Sequence, residues 1–313
     1  MKKDIVPHHG FQSITAAHRA LNLPEPKHPL VSLISGCTAR MEMGVLAGSH
    51  VLHFYKISYK PKLNGQLKYG QHYYDFDGGG LLFAAPGQII GPGAESDSDE
   101  GPEAAARPRN TLLIHPDFFL GYPLAKKIKQ YGFFSYSVNE ALHLSDEEKE
   151  TVLSVFSMIE RELDSRIDDF SQDVVISQIE LLLNFANRFY KRQFITRKAA
   201  NHDLLVKLEE LLNDYFNDEK LVGQGVPSVA WLAGQLNLSP SYLSDMLRSL
   251  TGQNAQQHIH HRVIEKAKEM LSTTSLSVSE VAYALGFEYS QSFSKLFKSK
   301  TKVSPVEFRE RFN

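Results

Sequence analysis

The feature that most limits what this chain can fold into is a repeat near its carboxyl end. Residues 228–238 (SVAWLAGQLNL) align with residues 277–287 (SVSEVAYALGF), residues 243–248 (LSDMLR) with residues 293–298 (FSKLFK), and Thr251 with Thr301. The period is roughly fifty residues, with one added residue in the turn of the second copy. A repeat fixes architecture, because each copy must build the same supersecondary unit. Here the unit reads as a helix-turn-helix. In the second copy Ser279 is expected to cap a short helix whose inner face is Val281, Ala282 and Leu285. Gly286 then ends that helix in the left-handed conformation, which glycine reaches without steric cost. Phe287 plugs the core, and a second helix over 290–299 buries Phe293, Leu296 and Phe297. In the first copy Ala233 is the small contact, Asn237 takes the turn position, and Ser239-Pro240 supply an N-cap and a first helical residue.

A second helix held this way leaves one face for a DNA groove. The outward positions are expected to be Ser241, Tyr242, Ser244, Asp245 and Arg248 in the first copy, and Ser290, Gln291, Ser294, Lys295 and Lys298 in the second. Glutamine pairs bidentately with adenine, lysine with guanine N7 and O6, and serine with either. Lys298, Lys300 and Lys302 fall where phosphates would run, and so position rather than specify. Asp245 has two readings, an acceptor for cytosine N4 or a surface partner of Arg248 three residues on. Between the copies, residues 255–271 form one amphipathic helix with Ile259, Val263, Ala267 and Met270 or Leu271 inward. Such a connector would space the two units by roughly one DNA turn, near 34 Å.

The rest of the chain differs in kind. At 313 residues it has length for two domains. The expected fold class is α+β with two domains: an antiparallel β barrel or sandwich followed by helices, then an all-α unit. Residues 50–60 read as a strand with Val51, His53, Tyr55, Ile57 and Tyr59 on one face. Further strand patterns lie at 66–74, 80–85 and 111–115, and the Gly-, Pro- and acid-rich stretch between Gly91 and Asn110 reads as an exposed, mobile loop. Ser145, followed by Asp146, Glu147 and Glu148, marks a helix start, with Val152, Val155, Phe156, Ile159 and Leu163 inward. A helix over 172–191 is apolar on more than one face; it is either fully buried or packed against a second copy of the chain. Residues 193–201 fit a linker. The expected domains are 1–195 and 203–313, joined by 196–202.

Composition narrows the function classes. Lys and Arg number 34 against 36 Asp and Glu, so no global basic excess announces nucleic acid. From Ser228 onward, however, ten basic residues stand against seven acids. Apolar runs are short and interrupted, which excludes a bilayer span, and Met1-Lys2-Lys3-Asp4 does not resemble a leader. A single cysteine, Cys37, supports neither an internal disulfide nor a thiolate zinc site. A cytoplasmic protein is expected.

The residues from about Asp203 to Phe312 resemble the AraC-type transcriptional regulators, whose DNA-binding unit has two helix-turn-helix modules joined by a long helix. The resemblance rests on Val278-Ser-Glu-Val-Ala-Tyr-Ala-Leu-Gly-Phe287, Phe293-Ser-Lys-Leu-Phe-Lys298 and Ser304-Pro-Val-Glu-Phe-Arg309, and on Leu238-Ser-Pro-Ser-Tyr-Leu243 with Thr251-Gly252. It implies a regulator that binds double-stranded DNA, with base contacts from Ser241, Ser244, Asp245, Ser290, Gln291, Ser294 and Lys295. The family often has a basic residue where Asp245 stands. The first half is similar to the cupin-type sensory domain of many such regulators, on His50, His53, Phe54-Tyr55, residues 80–88 and His115-Pro-Asp-Phe118. That similarity implies a small-molecule effector, for which His53, Tyr55 and Tyr73 are candidate pocket residues. The apolar breadth of the helix over 172–191 makes a homodimer through this domain's helices the expected assembly, and RNA polymerase is a further candidate partner. Metal-binding cupins place a histidine after the Pro-Gly-Gln run, where this chain has Ile89-Ile90, and His50 and His53 lie at odd spacing on opposite strand faces. No metal, cofactor or enzymatic activity is therefore expected. The competing reading is a cupin-type enzyme with a helical assembly tail, which needs converging ligands or a nucleophile–base pair.

Overall fold

A computed structural model of the chain describes residues 9–35, 50–61, 67–69, 72–74, 79–90, 110–137, 140–166, 168–196, 198–217 and 225–311. It divides into two compact units, Met1–Gln193 and Phe194–Asn313.

In the first unit β1 (His9–Phe11), β3 (His50–Leu52) and β8 (Ile89–Ile90) form one sheet. A larger sheet runs in the order β10 (Leu142–His143), β7 (Gly80–Ala84), β4 (Tyr55–Lys60), β9 (Asn110–Ile114) and β2 (Val31–Ser35). A ribbon of β5 (Leu67–Tyr69) and β6 (His72–Tyr74) stands apart from both. Pairing is antiparallel throughout except between β1 and β3, which run parallel. The segment 50–60, expected as one strand, is two. The chain bends at His53 and Phe54, where the His53 N–H donates to the Phe11 carbonyl at 3.0 Å and Phe54 is fully buried.

Central β4 pairs with β7 and β9, and its side chains alternate between two covered faces. On one, Tyr55 meets the rings of Phe119 and Phe134 at 6.2 and 5.1 Å, and Phe83 of β7 meets Phe133 at 4.5 Å. On the other, Ala84 and Leu113, the cross-strand neighbours of Lys56, join Phe11, Ile14, Ala17, Leu52 and Phe54 in a second apolar cluster. Period-two reasoning would leave Lys56 and Ser58 wet. Instead burial pushes the Lys56 ammonium down to about 7, with Lys60 adding to the shift, and Ser58 Oγ lies 3.1 Å from Thr111 Oγ1. Ile14 and Ala17 belong to α1 (Ile14–Ala20), a helix capped by Ser13 that sequence periodicity does not reveal.

The helices after the sheet follow the sequence closely. Short α2 (Leu124–Lys127) precedes α3 (Asp146–Asp164), which opens on a capping box: Glu148 N–H donates to Ser145 Oγ at 3.3 Å and Ser145 N–H to Glu148 Oε2 at 2.9 Å. Val152, Val155, Phe156 and Ile159 are buried, while Leu163 is only half-buried. Helix α4 (Ser171–Thr196) is longer than expected and buries Val175, Ile176, Ile179, Leu182, Leu183, Ala186, Phe189 and Tyr190. Val174 and Leu181 remain exposed, as does Phe170 just before it. The span 196–202, expected as a linker, is helical apart from residue 197, which lies outside the described residues: α5 (Lys198–Asn217) starts where α4 ends. The low apolar content that suggested a linker hides Phe194, buried at 3% exposure, whose carbonyl accepts from the buried Asn201 amide. The predicted loop between Gly91 and Asn110 lies outside the described residues as far as residue 109, as does Cys37.

The second unit continues through α6 (Val229–Gln235), α7 (Pro240–Thr251), α8 (Ala255–Thr273), α9 (Val278–Ala284), α10 (Ser290–Thr301) and α11 (Pro305–Arg309). Helix α8 has 19 residues and is therefore about 28 Å long. It buries Ile259, Val263, Ile264, Ala267 and Leu271, with Met270 half-buried at the edge.

Candidate nucleic-acid interface

The repeat is carried by backbone hydrogen bonds as well as by residue types. In α6 the carbonyl of Ala233 accepts from Leu238 N at 2.9 Å; in α9 the carbonyl of Ala282 accepts from Phe287 N at 3.0 Å. Both alanines are fully buried, so the plug residue is tied back to the small residue that allows the helices to approach. Between them Asn237 and Gly286 have φ of 55° and 87°, the left-handed turn expected at both positions. The glycine has an added reason. A Cβ on Gly286 would lie 2.4 Å from the carbonyl carbon of Gly225, whose oxygen accepts from Tyr215 of α5 at 2.9 Å.

The likeness runs further than the sequence alignment. Thr251 and Thr301 each cap back onto the preceding turn, through Leu247 O and Phe297 O, both at 2.8 Å. Gly252 and Lys302 follow at φ 78° and 68°. Asn254 with Gln257, and Ser304 with Glu307, then close matching capping boxes at the starts of α8 and α11. At the start of α9 the cap is Ser277, boxed with Glu280, and not Ser279; the serine three residues before a glutamate is the one that satisfies both ends of the box.

On α7, Ser241, Ser244, Asp245 and Arg248 share one face at helical spacing, with Arg248 exposed and the others half-buried. Arg248 Nη1 lies 3.0 Å from Asp245 Oδ1, which realises the ion-pair reading of that aspartate. Tyr242 corrects the sequence expectation. It is 1% exposed and packs edge-on against Phe194 at 5.2 Å, because it lies a further 100° round the helix from Ser241, on the core side. On α10, Ser290, Gln291, Ser294, Lys295 and Lys298 share the solvent face, with Gln291, Lys295 and Lys298 exposed. Phe293 and Phe297 are fully buried beneath them, in a cluster with Ile264, Ala267, Val281 and Ala282. Lys300 points elsewhere, lining a polar cleft of about 280 Å³ with Gln257, His261 and Lys268 of α8. Burial lowers the pKa of both His258 and His260 on α8, with His261 adding to the first shift and Lys300 to the second.

Sequence reasoning passed over Tyr289, which is 62% exposed and directly precedes Ser290. The signal was present in the repeat, where Tyr289 replaces Ser239.

Two of the candidate effector residues have described side chains. His53 Nε2 lies 2.9 Å from Gln12 Nε2, and Tyr55 belongs to the aromatic core with Phe134, where burial raises its phenol pKa. The side chains of Tyr73 and His50 lie outside the described residues. Among the described residues no group of three or more His, Cys, Asp or Glu side chains is arranged to hold a metal ion, and no helix is long and apolar enough to cross a membrane.

Residues 232–311 match the helix-turn-helix domain family. That span begins inside α6 and runs through α11, so it takes in both modules. The chain is 32% identical over 106 residues to the HTH-type transcriptional regulator YijO of Escherichia coli K12, covering 34% of this chain and 36% of that protein. It is 30% identical over 145 residues to the HTH-type transcriptional activator RhaS of Salmonella paratyphi B, covering 45% and 46%. The chain thus spans less than half the length of either relative. A solved structure, the C-terminal domain of the response regulator yesN from Fusobacterium nucleatum, is 29% identical and covers 33% of this chain and 98% of that one, at a TM-score of 0.29. The second unit, which holds the whole of the family match, is similar to AraC-type DNA-binding domains.

Proposed function

We propose that this protein is a sequence-specific DNA-binding transcriptional regulator. One observation carries the reading: two helix-turn-helix modules built on the same hydrogen-bond skeleton, the second of which presents Gln291, Lys295 and Lys298 to solvent over a fully buried aromatic core. Glutamine and lysine at the surface of a recognition helix match adenine and guanine edges in the major groove. Lys298 and Lys302 supply phosphate contacts. The relatives named as transcriptional regulators support the same reading for residues 203–313.

The first unit is proposed as a cupin-like sensory and dimerisation domain occupying about residues 1–195. The stripe of exposed apolar side chains at Phe170, Val174 and Leu181, spaced to share one helical face, supports pairing with a second copy. A small-molecule effector in this unit is part of the proposal, as is contact with RNA polymerase; His53 remains the candidate polar lining residue.

The test is selection of binding sites from randomised duplex DNA, with the intact chain and with a Gln291→Ala/Lys295→Ala double variant. The intact chain is expected to enrich a defined site and to lose affinity steeply as salt rises. The variant is expected to lose that preference while retaining most of its non-specific binding. A variant that selects the same site as the parent would overturn the assignment of α10.

A further inference from the structure

We infer that Tyr289 reads a thymine, its ring lying against the base's C5-methyl group at the edge of the site contacted by Gln291. The inference rests on the proposed DNA-binding role of α10 and adds a specificity-determining residue to it.

The inference starts from a mismatch between modules that otherwise share their turn and capping hydrogen bonds. Ser239 and Tyr289 occupy the same place, the residue before the first turn of α7 and of α10. Ser239 is buried and caps its helix, accepting from Tyr242 N at 3.2 Å. Tyr289 caps nothing. The helices around it are all capped by a side chain: α6 by Ser228, α8 by Asn254, α9 by Ser277 and α11 by Ser304. Exchanging a capping serine for tyrosine gives up stability. Among the described residues the Tyr289 ring stacks on no other ring and its side chain makes no hydrogen bond, and it is 62% exposed.

What Tyr289 gains is position. Its carbonyl accepts from Ser292 N at 3.0 Å and from Phe293 N at 3.4 Å, so the helix begins at this residue while φ and ψ of −128° and 125° keep it extended. It therefore stands at the end of α10 that a recognition helix inserts among base edges. The charged and amide chemistry of the groove is already served by Lys295 and Gln291 on the solvent face of α10. The group in the major groove that neither can recognise is the thymine methyl, and it is matched by an apolar surface. A phenol ring on an extended residue supplies that surface.

The experiment uses the full chain and its Tyr289→Ser variant. Both are put through selection from randomised duplexes, and the enriched site is then titrated with each thymine replaced in turn by deoxyuridine, which lacks only the methyl. The parent is expected to enrich one thymine beside the base pair lost in Gln291→Ala, and to bind about fourfold more weakly when that thymine is replaced by deoxyuridine, the value of one buried methyl-sized group. Tyr289→Ser is expected to lose the preference and the deoxyuridine penalty together, with a Tm equal to or above the parent's because serine restores the cap seen at Ser239. Such a loss cannot come from misfolding. A variant that keeps the same thymine preference and penalty overturns the inference. So does a variant that weakens all sequences equally, which would make Tyr289 a phosphate contact. If the parent enriches no site at all, the DNA-reading role of α10 fails first and takes Tyr289 with it.

Discussion

At one position of the duplicated unit the first module carries Asp245 and the second, fifty residues on, carries Lys295. Nearby, Ser241 faces Gln291 in the alignment, Tyr242 faces Ser292, and Ser239 faces Tyr289. Beneath these differences the skeletons coincide: small alanine, left-handed turn, plug residue, back-bonding threonine and capping box recur at matched places. The two modules are therefore one mould with unlike surfaces. On α7 the charge of Arg248 is shared with Asp245 of the same helix, while α10 holds no acid of its own and Lys295 and Lys298 stand exposed on it, with Glu307 of α11 the carboxylate that Lys298 influences. Folding constrains the inner half of each unit, and recognition is left to the outer half.

The sharpest way to break that comparison is at the turn. Gly286→Asn should destabilise the second unit by about 3 kcal/mol, since the new Cβ meets the backbone of Gly225, which cannot swing aside as a side chain would. The matched change Asn237→Gly should stay within about 0.5 kcal/mol, because Asn237 is exposed and already left-handed. Denaturant unfolding of the two variants reads both values, and equal losses would show that the turns are equivalent after all. Next in size, Ser239→Ala should cost about 1 kcal/mol by removing the cap on α7, while alanine at Tyr289 should leave unfolding unchanged.

Charge gives a finer distinction. Lys298→Ala should reduce the slope of log affinity against log salt by about 1. Arg248→Ala at the matched position should reduce it by clearly less, and Asp245→Asn should raise affinity by releasing Arg248. Titrations at several salt concentrations measure all three, and identical slopes for Lys298→Ala and Arg248→Ala would contradict the unequal faces. The smallest effect lies in the capping boxes. Hydrogen bonds from the Ser304 backbone and hydroxyl hold the Glu307 carboxyl below its ordinary range. Its contribution is complete above the unfolded value of 4.5 and is lost as pH falls through the lower folded one. The matching box of Asn254 and Gln257 has no carboxylate to titrate. Glu307→Gln should accordingly flatten the acid side of a Tm-against-pH curve slightly.

Much of the second unit was legible in the sequence because its determinants are local. A small residue, a turn residue and a plug at fixed offsets describe a helix-turn-helix almost completely, and capping follows from a serine three residues before a glutamate. The misplacement of Tyr242 came from treating adjacent positions as one face, when a step of 100° carries the second toward the core. Its partner there, Phe194, lay in a stretch that composition alone marked as linker. The first unit was less legible because its determinants are distant in the chain. The parallel pairing of β1 with β3 joins residues about forty apart, and the apolar cluster beside half-buried Lys56 is supplied in part by α1 and Phe54. Periodicity within 50–60 contains neither fact.

Under the proposed DNA-binding role, the unequal faces of α7 and α10 also shape the target. Two modules with matching surfaces would call for a stretch of duplex that repeats itself. These two call for one whose halves differ, so a search for the target by internal repetition would overlook it.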